Sequence, residues 1–446
     1  MPQQTDPKAL LSTRAQNEAA PKLNTLLWKI LSDQWHPQDN SGGYVSIGVA
    51  ENRLMHSELE QHITRNINVK DCAFTYGDGP KGSHRLRAAL ARFLGVHFKP
   101  RIPLESKHII VTNGVTSAIE HMSWACTNPG DAFIIGQPYY GAFPGDICLR
   151  PEVELVTVKF GDIDPMSIEA VKDYEKGILD ARKRGIKVKG MMLCNPHNPL
   201  GRCYDREVLI EYLKLCEKYQ LHLVSDEIYG LTVWINKEDH YPLQRPFNSI
   251  MSINLEGLIN PSLVHVLWGT SKDFGANGLR LGCLISQSNP ALHEALTSVA
   301  LMSSVSSIAD HVVANLLEDD GFANNYIATN QQRLSQSYSH VIDFLRGHDL
   351  EYTPGSNAGF FVWVNLGAAY LQKHPDRRGK RDLTEEVMDA LLEQKLYLAS
   401  GILFGSETPG IFRIVFSHPS DYIGEALERM WRAIEVGCAG LEKAKL

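Results

Sequence analysis

Residues 69–305 alternate short apolar runs with longer segments of helical periodicity. The runs carry apolar residues at consecutive positions, which is typical of strands buried on both faces. One intervening segment, 205–219, places Val208 and Leu209 on one helical face. The alternation therefore predicts an α/β fold with a mostly parallel seven-stranded sheet and helices on both faces. The predicted strands are 108–112, 132–136, 153–158, 188–194, 222–225, 264–268 and 281–286.

After residue 305 this alternation gives way to a mixed pattern, which predicts a smaller α+β domain. We expect a long helix, then strand, helix, strand and helix, at 309–345, 359–365, 383–395, 411–416 and 422–443. The N-terminal segment, with an amphipathic patch at 23–31, is expected to join this smaller domain. The predicted units are an N-terminal arm with part of the small domain (1–65), a large domain (66–325) and a small C-terminal domain (326–446).

Residues suited to binding a ligand follow three of the predicted strands. Asp226 ends one apolar run, and Asn198 lies in a turn made rigid by two Asn-Pro pairs after another. Gly114 turns a third strand into a helix whose N-terminus would favour a phosphate. Because ligands of open α/β sheets bind beyond the carboxyl ends of the strands, we expect these residues to lie together.

The segment 269–282 places Lys272 in a small, hydroxyl-rich turn, with an arginine eight residues further on. A desolvated lysine beside other cations has a lowered pKa and forms a Schiff base with an aldehyde. Ser271 and Arg280 would then hold an anionic group such as a phosphate.

Each feature also has a plain structural interpretation. A lysine in a Gly/Ser turn is commonly a solvated surface residue, and Asp226 would serve equally as a helix N-cap. Thr116 or Ser117, with Glu120 behind, would form an ordinary capping box. The combination of the four segments favours a functional site over these alternatives.

The motifs resemble those of the fold-type I pyridoxal phosphate enzymes, the class I aminotransferases and their relatives. They are Asn-Pro-His-Asn-Pro-Leu-Gly (195–201), Ser-Asp-Glu-Ile-Tyr (225–229) and Ser-Lys-Asp-Phe-Gly (271–275) with Arg-Leu-Gly (280–282). The resemblance runs from about Gly42 to Phe416. Segments 48–52, 138–143, 356–361 and 412–414 are most similar to the 1-aminocyclopropane-1-carboxylate (ACC) synthase branch, particularly its fungal ACC synthase-like members.

The resemblance implies pyridoxal 5′-phosphate as cofactor and gives five residues a role around its ring. Lys272 would hold the cofactor aldehyde and later act as general base on the substrate Cα proton. Asp226 would pair with the pyridine nitrogen, so that the ring accepts electrons. Tyr229 and Asn198 would bond the ring oxygen, and Tyr140 would stack on the ring face.

The resemblance also implies a phosphate site, a substrate site and a homodimer. The residues expected to bind phosphate are Gly114, Val115, Thr116, Ser271 and Arg280. Arg413 would pair with the substrate α-carboxylate, and Glu51 would face the substrate, as would Asn198. Tyr76 would reach the phosphate bound by a neighbouring subunit, because the family completes its site across a two-fold dimer.

Two departures from the ACC synthase pattern bear on the reaction. Gly269 stands where these enzymes usually have serine, with Thr270 as the replacement hydroxyl, and Pro80 stands where a substrate-facing tyrosine is expected. We therefore expect a carbon–sulfur lyase acting on a sulfur-bearing amino acid, rather than a strict ACC synthase. The alternative is an aminotransferase of an amino acid and a 2-oxo acid. A non-catalytic scaffold is disfavoured because Lys272, Asp226, Tyr229 and Arg413 are all present.

The segment 77–82 also matches the dinucleotide fingerprint G-x-G-x-x-G, between a strand-like run (72–76) and a helix from about His84. The fingerprint requires an acidic residue about 20 positions further on. Residues 93–104 contain no carboxylate, and Glu105 lies in a Pro-flanked turn. The sequence therefore disfavours a nicotinamide cofactor.

Composition excludes several other classes. The 446 residues are enough for two or three domain-sized units. A net charge of −7 disfavours nucleic acid and anionic membranes as partners, and no apolar run is long enough to span a bilayer. Eight scattered cysteines without C-x-x-C predict free thiols in a reducing compartment. We thus expect a cytoplasmic protein that binds a small amino-acid substrate.

Overall fold

The computed structural model describes residues 7–19 and 24–438. The strands are β1 (Val45–Ser46), β2 (Ile109–Asn113), β3 (Ala132–Gly136), β4 (Glu154–Val158), β5 (Val188–Cys194), β6 (His222–Asp226), β7 (Val264–Gly269), β8 (Leu281–Ile285), β9 (Phe361–Asn365), β10 (Leu396–Tyr397), β11 (Ala399–Ser400) and β12 (Ile411–Val415).

Helices separate most of these strands. They are α1 (Thr13–Glu18), α2 (Asn24–Ser32), α3 (His56–Asn66), α4 (His84–Phe98), α5 (Gly114–Cys126), α6 (Phe143–Cys148), α7 (Ala170–Lys183), α8 (Arg206–Tyr219), α9 (Thr270–Asp273), α10 (Pro290–Ala300), α11 (Ser307–Glu318), α12 (Asp320–Gly347), α13 (Leu366–Lys373), α14 (Leu383–Glu393) and α15 (Ser420–Val436).

The large sheet has seven strands in the order β2-β8-β7-β6-β5-β3-β4. Its neighbours are parallel except at β8, which is antiparallel to both β2 and β7. Each predicted strand agrees with an observed one to within one residue at either end. The predicted α/β fold with a mostly parallel seven-stranded sheet is confirmed.

Side chains alternate between the two faces of this sheet and divide the core in two. On β2, Ile109 and Val111 belong to one cluster of buried residues and Ile110 to the other. Helices α4, α7 and α8 contribute to the first cluster, and α5, α6 and α10 contribute to the second. Helices therefore cover both faces, as consecutive apolar residues require.

A second group of elements forms a smaller α+β unit. Strands β11, β12 and β9 make an antiparallel sheet, with Arg413 of β12 opposite Trp363 of β9. The N-terminal segment reaches this unit, because Val45 of β1 pairs with Leu396 of β10 in a parallel bridge. The second core cluster continues from the large sheet into α14 and α15.

Four local expectations differ from the structure. The strand-like run 72–76 is a 3-10 turn, Asp71–Phe74. The long helix expected at 309–345 is divided at Asp319, whose carboxylate accepts a bond from the Phe322 amide and so starts α12 anew.

The other two differences are at helix ends. Helix α5 begins at Gly114, not near Thr116, and Asn113 provides no side-chain cap. The helix expected at 422–443 ends at Val436, and residues 439–443 of that expectation lie outside the described residues.

The carboxyl ends of β3, β5, β6 and β7 meet at one edge of the sheet, because these strands are parallel. Strand β8 begins at the same edge, because it runs the opposite way. Loops that leave this edge face the small antiparallel sheet. Among the described helices, none is by itself long and apolar enough to cross a membrane. The pair α10–α11, bent by 114°, meets that test by length and composition only.

Candidate active site

A cleft of about 730 Å³ lies between the carboxyl edge of the large sheet and strands β10–β12. Ten of the predicted site residues line it: Val115, Thr116, Tyr140, Asn198, Asp226, Tyr229, Ser271, Lys272, Arg280 and Arg413. They come from loops or strand ends separated by up to about three hundred positions, which the parallel topology brings to one place.

Lys272 lies in α9, immediately after the buried strand β7. Its Nζ atom donates a hydrogen bond of 2.6 Å to the carbonyl oxygen of Ala50. Burial, together with the charges of Arg413 and Arg280, lowers the pKa of this amine to about 8, against the opposing effects of Glu51 and Asp226. Roughly a tenth of the amine is therefore neutral, and nucleophilic, at pH 7, and about half is neutral at pH 8.

Asp226 is the last residue of β6 and is almost fully buried. Its Oδ1 atom accepts a bond of 3.3 Å from the Ile228 amide. Burial raises the pKa of this carboxyl to about 7, against the opposing effects of that bond and of Lys272. A cation placed beside Asp226 would lower this pKa and hold the group ionised.

Arg413 and Asn198 form one hydrogen-bonded unit on the small-sheet side of the cleft. Arg413 Nη1 donates to Asn198 Oδ1 at 2.8 Å, and its Nη2 donates to the Gly48 carbonyl at 2.7 Å. The guanidinium lies between the rings of Phe361 and Phe404, each centroid 4.7 Å away. Among the described residues its Nε atom is buried and has no hydrogen-bond partner.

Two tyrosines bound the space between Lys272 and Arg413. Tyr229 is buried and packs edge-on against Phe360 and Phe361, with ring centroids 5.5 and 5.3 Å away. Burial raises the pKa of Tyr140 to about 12, so its hydroxyl stays protonated and donates. Packing against the two phenylalanines therefore holds the Tyr229 ring in place before any ligand enters.

The N-terminus of α5 and Arg280 form an anion cradle. Gly114 has φ +77°, and a Cβ atom on it would lie 2.4 Å from Arg280 Nη2. The guanidinium therefore packs directly on the first residue of the helix, where free amides and the helix dipole also favour an anion. Ser271, the second residue of α9, lines the same cleft.

Gly269 is fixed by packing. A Cβ atom there would lie 2.7 Å from the Leu281 carbonyl oxygen, so a serine does not fit without a backbone shift. The Thr270 hydroxyl beside it is buried and has no hydrogen-bond partner among the described residues.

Three of the predicted site residues are not among those that line the cleft. Gly114 lies against the Arg280 guanidinium, which does line it. Glu51 lies beside the cleft, where its carboxylate acts on the Lys272 amine and its backbone carbonyl accepts a bond from Ser417 Oγ. Tyr76 is 94% exposed and lies outside this chain's cleft.

Sequence reasoning missed two polar residues of the site. Asp146, on α6, lines the cleft, and burial raises its pKa to about 6, while hydrogen bonding by the Thr116 hydroxyl opposes this. Asn277 Nδ2 donates to the same Ala50 carbonyl as Lys272, at 3.2 Å. Asn277 stands three positions before Arg280 in the segment 269–282, so the sequence could have indicated it as a site residue. Nothing in the sequence distinguishes Asp146 from an ordinary carboxylate on a helix surface.

The residues fit pyridoxal phosphate. The group needs a neutral lysine amine for its aldehyde, a buried carboxylate for its ring nitrogen, an anion cradle for its phosphate and a hydrogen-bonding frame for its ring. Lys272, Asp226 and the Gly114–Arg280 cradle supply the first three, and Asn198 and Tyr229 supply the fourth. Fold and site together define a fold-type I pyridoxal phosphate protein.

Comparison with known proteins agrees with this class. The model of the family "Aminotransferase class I and II" matches residues 46–430. The chain belongs to this family, and its cofactor is pyridoxal phosphate.

Similar proteins span nearly the whole chain. The 1-aminocyclopropane-1-carboxylate synthase-like protein 1 of Bos taurus is 32% identical over 90% of this chain and 78% of its own length. The probable aminotransferase sirI of Leptosphaeria maculans is 29% identical over 96% of this chain and 98% of its own length. A single mutant of Thermus thermophilus aspartate aminotransferase has the same fold, with a TM-score of 0.74 at 20% identity, covering 95% of this chain and 99% of its own.

Proposed function

We propose that this protein is a pyridoxal phosphate-dependent carbon–sulfur lyase. It removes the Cα proton of a sulfur-bearing amino acid and expels the sulfur group from the side chain. The observation that carries the proposal is the meeting of Lys272, Asp226 and Arg413 in one cleft. The similarity to an ACC synthase-like protein favours expulsion of sulfur over transfer of the amino group.

When bound, pyridoxal phosphate would link covalently to an amino group and draw electron density from the adjacent carbon. Lys272 would hold the aldehyde at rest, and Asp226 would keep the ring nitrogen protonated through an ion pair. Asn198 and Tyr229 would bond the ring oxygen, and Tyr140 would cover a ring face. Gly114, Val115, Thr116, Ser271 and Arg280 would hold the phosphate.

Arg413, whose guanidinium lines the cleft, would orient the substrate through a two-pronged ion pair with its α-carboxylate. The bonds to Asn198 and Gly48 and the two flanking rings fix the guanidinium plane, so little ordering is needed on binding. This contact directs the substrate Cα–H bond toward Lys272.

Lys272 would then take the Cα proton at Nζ. Its lowered pKa suits this task, because a base with a pKa near the working pH is partly unprotonated and still basic. For an S-substituted cysteine, the Cα–H and Cβ–S bonds break. With one water consumed, the products are a thiol, pyruvate and ammonia.

We also propose that the working form is a homodimer and that Tyr76 completes the neighbouring subunit's phosphate site. Tyr76 is supported in this role by its exposure of 94% and by its absence from the lining of its own cleft. Phe74, two positions earlier, is 76% exposed, and exposed aromatic residues are common in interfaces.

An aminotransferase is the second candidate, favoured by the similarity to the probable aminotransferase sirI. The same lysine would then return the proton to the cofactor carbon instead of allowing a side-chain group to leave. Both reactions use every residue described above, so product analysis must separate them.

The test supplies the purified holoenzyme with S-benzyl-L-cysteine, with S-adenosylmethionine, and with an amino acid plus a 2-oxo acid. Thiol with pyruvate and ammonia, or ACC, supports the lyase. Formation of a new amino acid in the third mixture alone contradicts it. The Lys272→Ala variant is the control, and it should give none of these products.

A further inference from the structure

Helix α2 places a tryptophan at the mouth of the cleft. Trp28 and Leu27 line the cleft, although they precede β1 and lie far in sequence from the catalytic segments. Ile30, two residues on, is fully buried and anchors the helix to the core. Trp28 itself is 66% exposed, so its ring borders the open cleft instead of filling the core.

Both charged and apolar side chains line the cleft. The charged side chains are Asp146, Asp226, Lys272, Arg280 and Arg413, and all of them are assigned above to the cofactor site or its surroundings, or to the α-carboxylate site. The apolar lining includes Leu27, Trp28, Val49, Tyr397, Leu403 and Phe404.

Part of this apolar lining adjoins Arg413. The Gly48 carbonyl that accepts from Arg413 belongs to a residue lying against the Tyr397 ring, where a Cβ atom would be 2.7 Å from Tyr397 Cε1. The Phe404 ring, with its centroid 4.7 Å from the guanidinium, also lines the cleft. A substrate held by its α-carboxylate at Arg413 would therefore lie beside Tyr397 and Phe404, in the cleft that Trp28 also lines.

Among the described lining residues, every cation has a role toward the cofactor or the α-carboxylate. A second substrate carboxylate would be desolvated against the apolar lining without a cationic partner from the described lining residues of this subunit, which is costly. An apolar or aromatic substrate side chain would instead bind favourably, because its contact with Trp28 removes apolar surface of both groups from water.

We infer that Trp28 is a specificity-determining residue, which selects amino acids with an uncharged, apolar side chain and prefers aromatic ones. The inference rests on the proposed function, because it takes Arg413 as the α-carboxylate site. The inference concerns the group that the substrate carries beyond its sulfur atom. It applies equally if the protein is an aminotransferase.

The test titrates the holoenzyme with L-phenylalanine, L-alanine and L-aspartate and follows the cofactor absorption band, which reports binding without turnover. We expect the wild-type protein to bind phenylalanine more tightly than the other two. Trp28→Ala should weaken phenylalanine binding about tenfold or more and leave alanine binding nearly unchanged. Trp28→Phe should retain most of the preference.

Lys29→Ala is the matched control, because Lys29 is the exposed neighbour of Trp28 on the same helix and does not line the cleft. Its phenylalanine-to-alanine ratio should equal that of the wild type. An unchanged ratio in Trp28→Ala, or tighter binding of aspartate than of phenylalanine by the wild type, would overturn the inference. A protein with no cofactor band at all would overturn the proposed function instead.

Discussion

The Nζ atom of Lys272 shows how neighbouring groups convert a common side chain into a reactive one. Its partner is a backbone carbonyl instead of a carboxylate, so the proton on the amine gains no ion pair in direct contact. Besides burial, the positive charges of Arg413 and Arg280 also disfavour the protonated amine. Asp226 shows the converse, because burial without a cation in contact raises the pKa of its carboxyl.

The lowered pKa of Lys272 predicts how fast the apoprotein takes up its cofactor at different pH values. Only the neutral amine attacks an aldehyde, so the rate should rise about tenfold per pH unit below pH 8 and level off above it. An ordinary lysine would show the rise up to about pH 10.5. The measurement follows the absorption band after mixing apoprotein with pyridoxal phosphate. A rate that still climbs steeply above pH 9 would contradict the environment described for Lys272.

Arg413→Lys should weaken substrate binding and leave the cofactor in place. A lysine keeps the charge but loses the planar fork that the carboxylate and the two flanking rings require. We expect the Kd for L-phenylalanine to rise by about 10- to 100-fold, with an unchanged cofactor band. Arg346→Lys is the control, since that guanidinium contacts Glu238. Equal effects of the two substitutions would rule out a binding role for Arg413.

At the scale of elements, strand ends provide the catalytic groups and one helix terminus provides the anion cradle. Helix α5 starts at Gly114, which has a positive φ. Because Gly114 has no side chain, the Arg280 guanidinium can pack directly against the start of the helix. Neither the amides nor Arg280 alone would define a phosphate site. Their contact places the helix dipole and the fixed charge at one point.

Gly114→Ala should therefore weaken cofactor binding through the cradle and not only through backbone strain. The new Cβ atom would displace the Arg280 guanidinium, and we expect the Kd for pyridoxal phosphate to rise about tenfold. Gly130→Ala is the matched control, because Gly130 has φ +84° and open space around it. Both variants should lose about 1–2 kcal/mol of stability from the left-handed backbone. Equal cofactor affinity in the two variants would contradict the cradle.

At the scale of the whole molecule, much of the fold could be predicted from the sequence because its strands are buried on both faces. Consecutive apolar residues mark such strands, and Asp226, Asn198 and Lys272 follow them directly. The site was less predictable where distant segments complete it. Tyr397 lies in a strand of two residues, which is too short to show any periodicity. Trp28 lies in an amphipathic helix, at a position that cannot be told from an ordinary exposed one by sequence.

The proposed homodimer predicts complementation between two inactive variants. Lys272→Ala and Tyr76→Ala should each have little activity alone. After subunit exchange, a mixture should recover about a quarter of the wild-type activity, because half of the dimers are hybrids and each has one intact site. No recovery, despite mixed dimers detected by native mass spectrometry, would show that Tyr76 does not act across the interface.

The most direct test of the central claim is to reduce the holoenzyme with borohydride, digest it and locate the pyridoxyl phosphate group by mass spectrometry. The account predicts the group on the peptide that contains Lys272, with no labelled peptide from Lys272→Ala. A label on another lysine, or none on a protein that has been saturated with the vitamin B6 aldehyde, would contradict it.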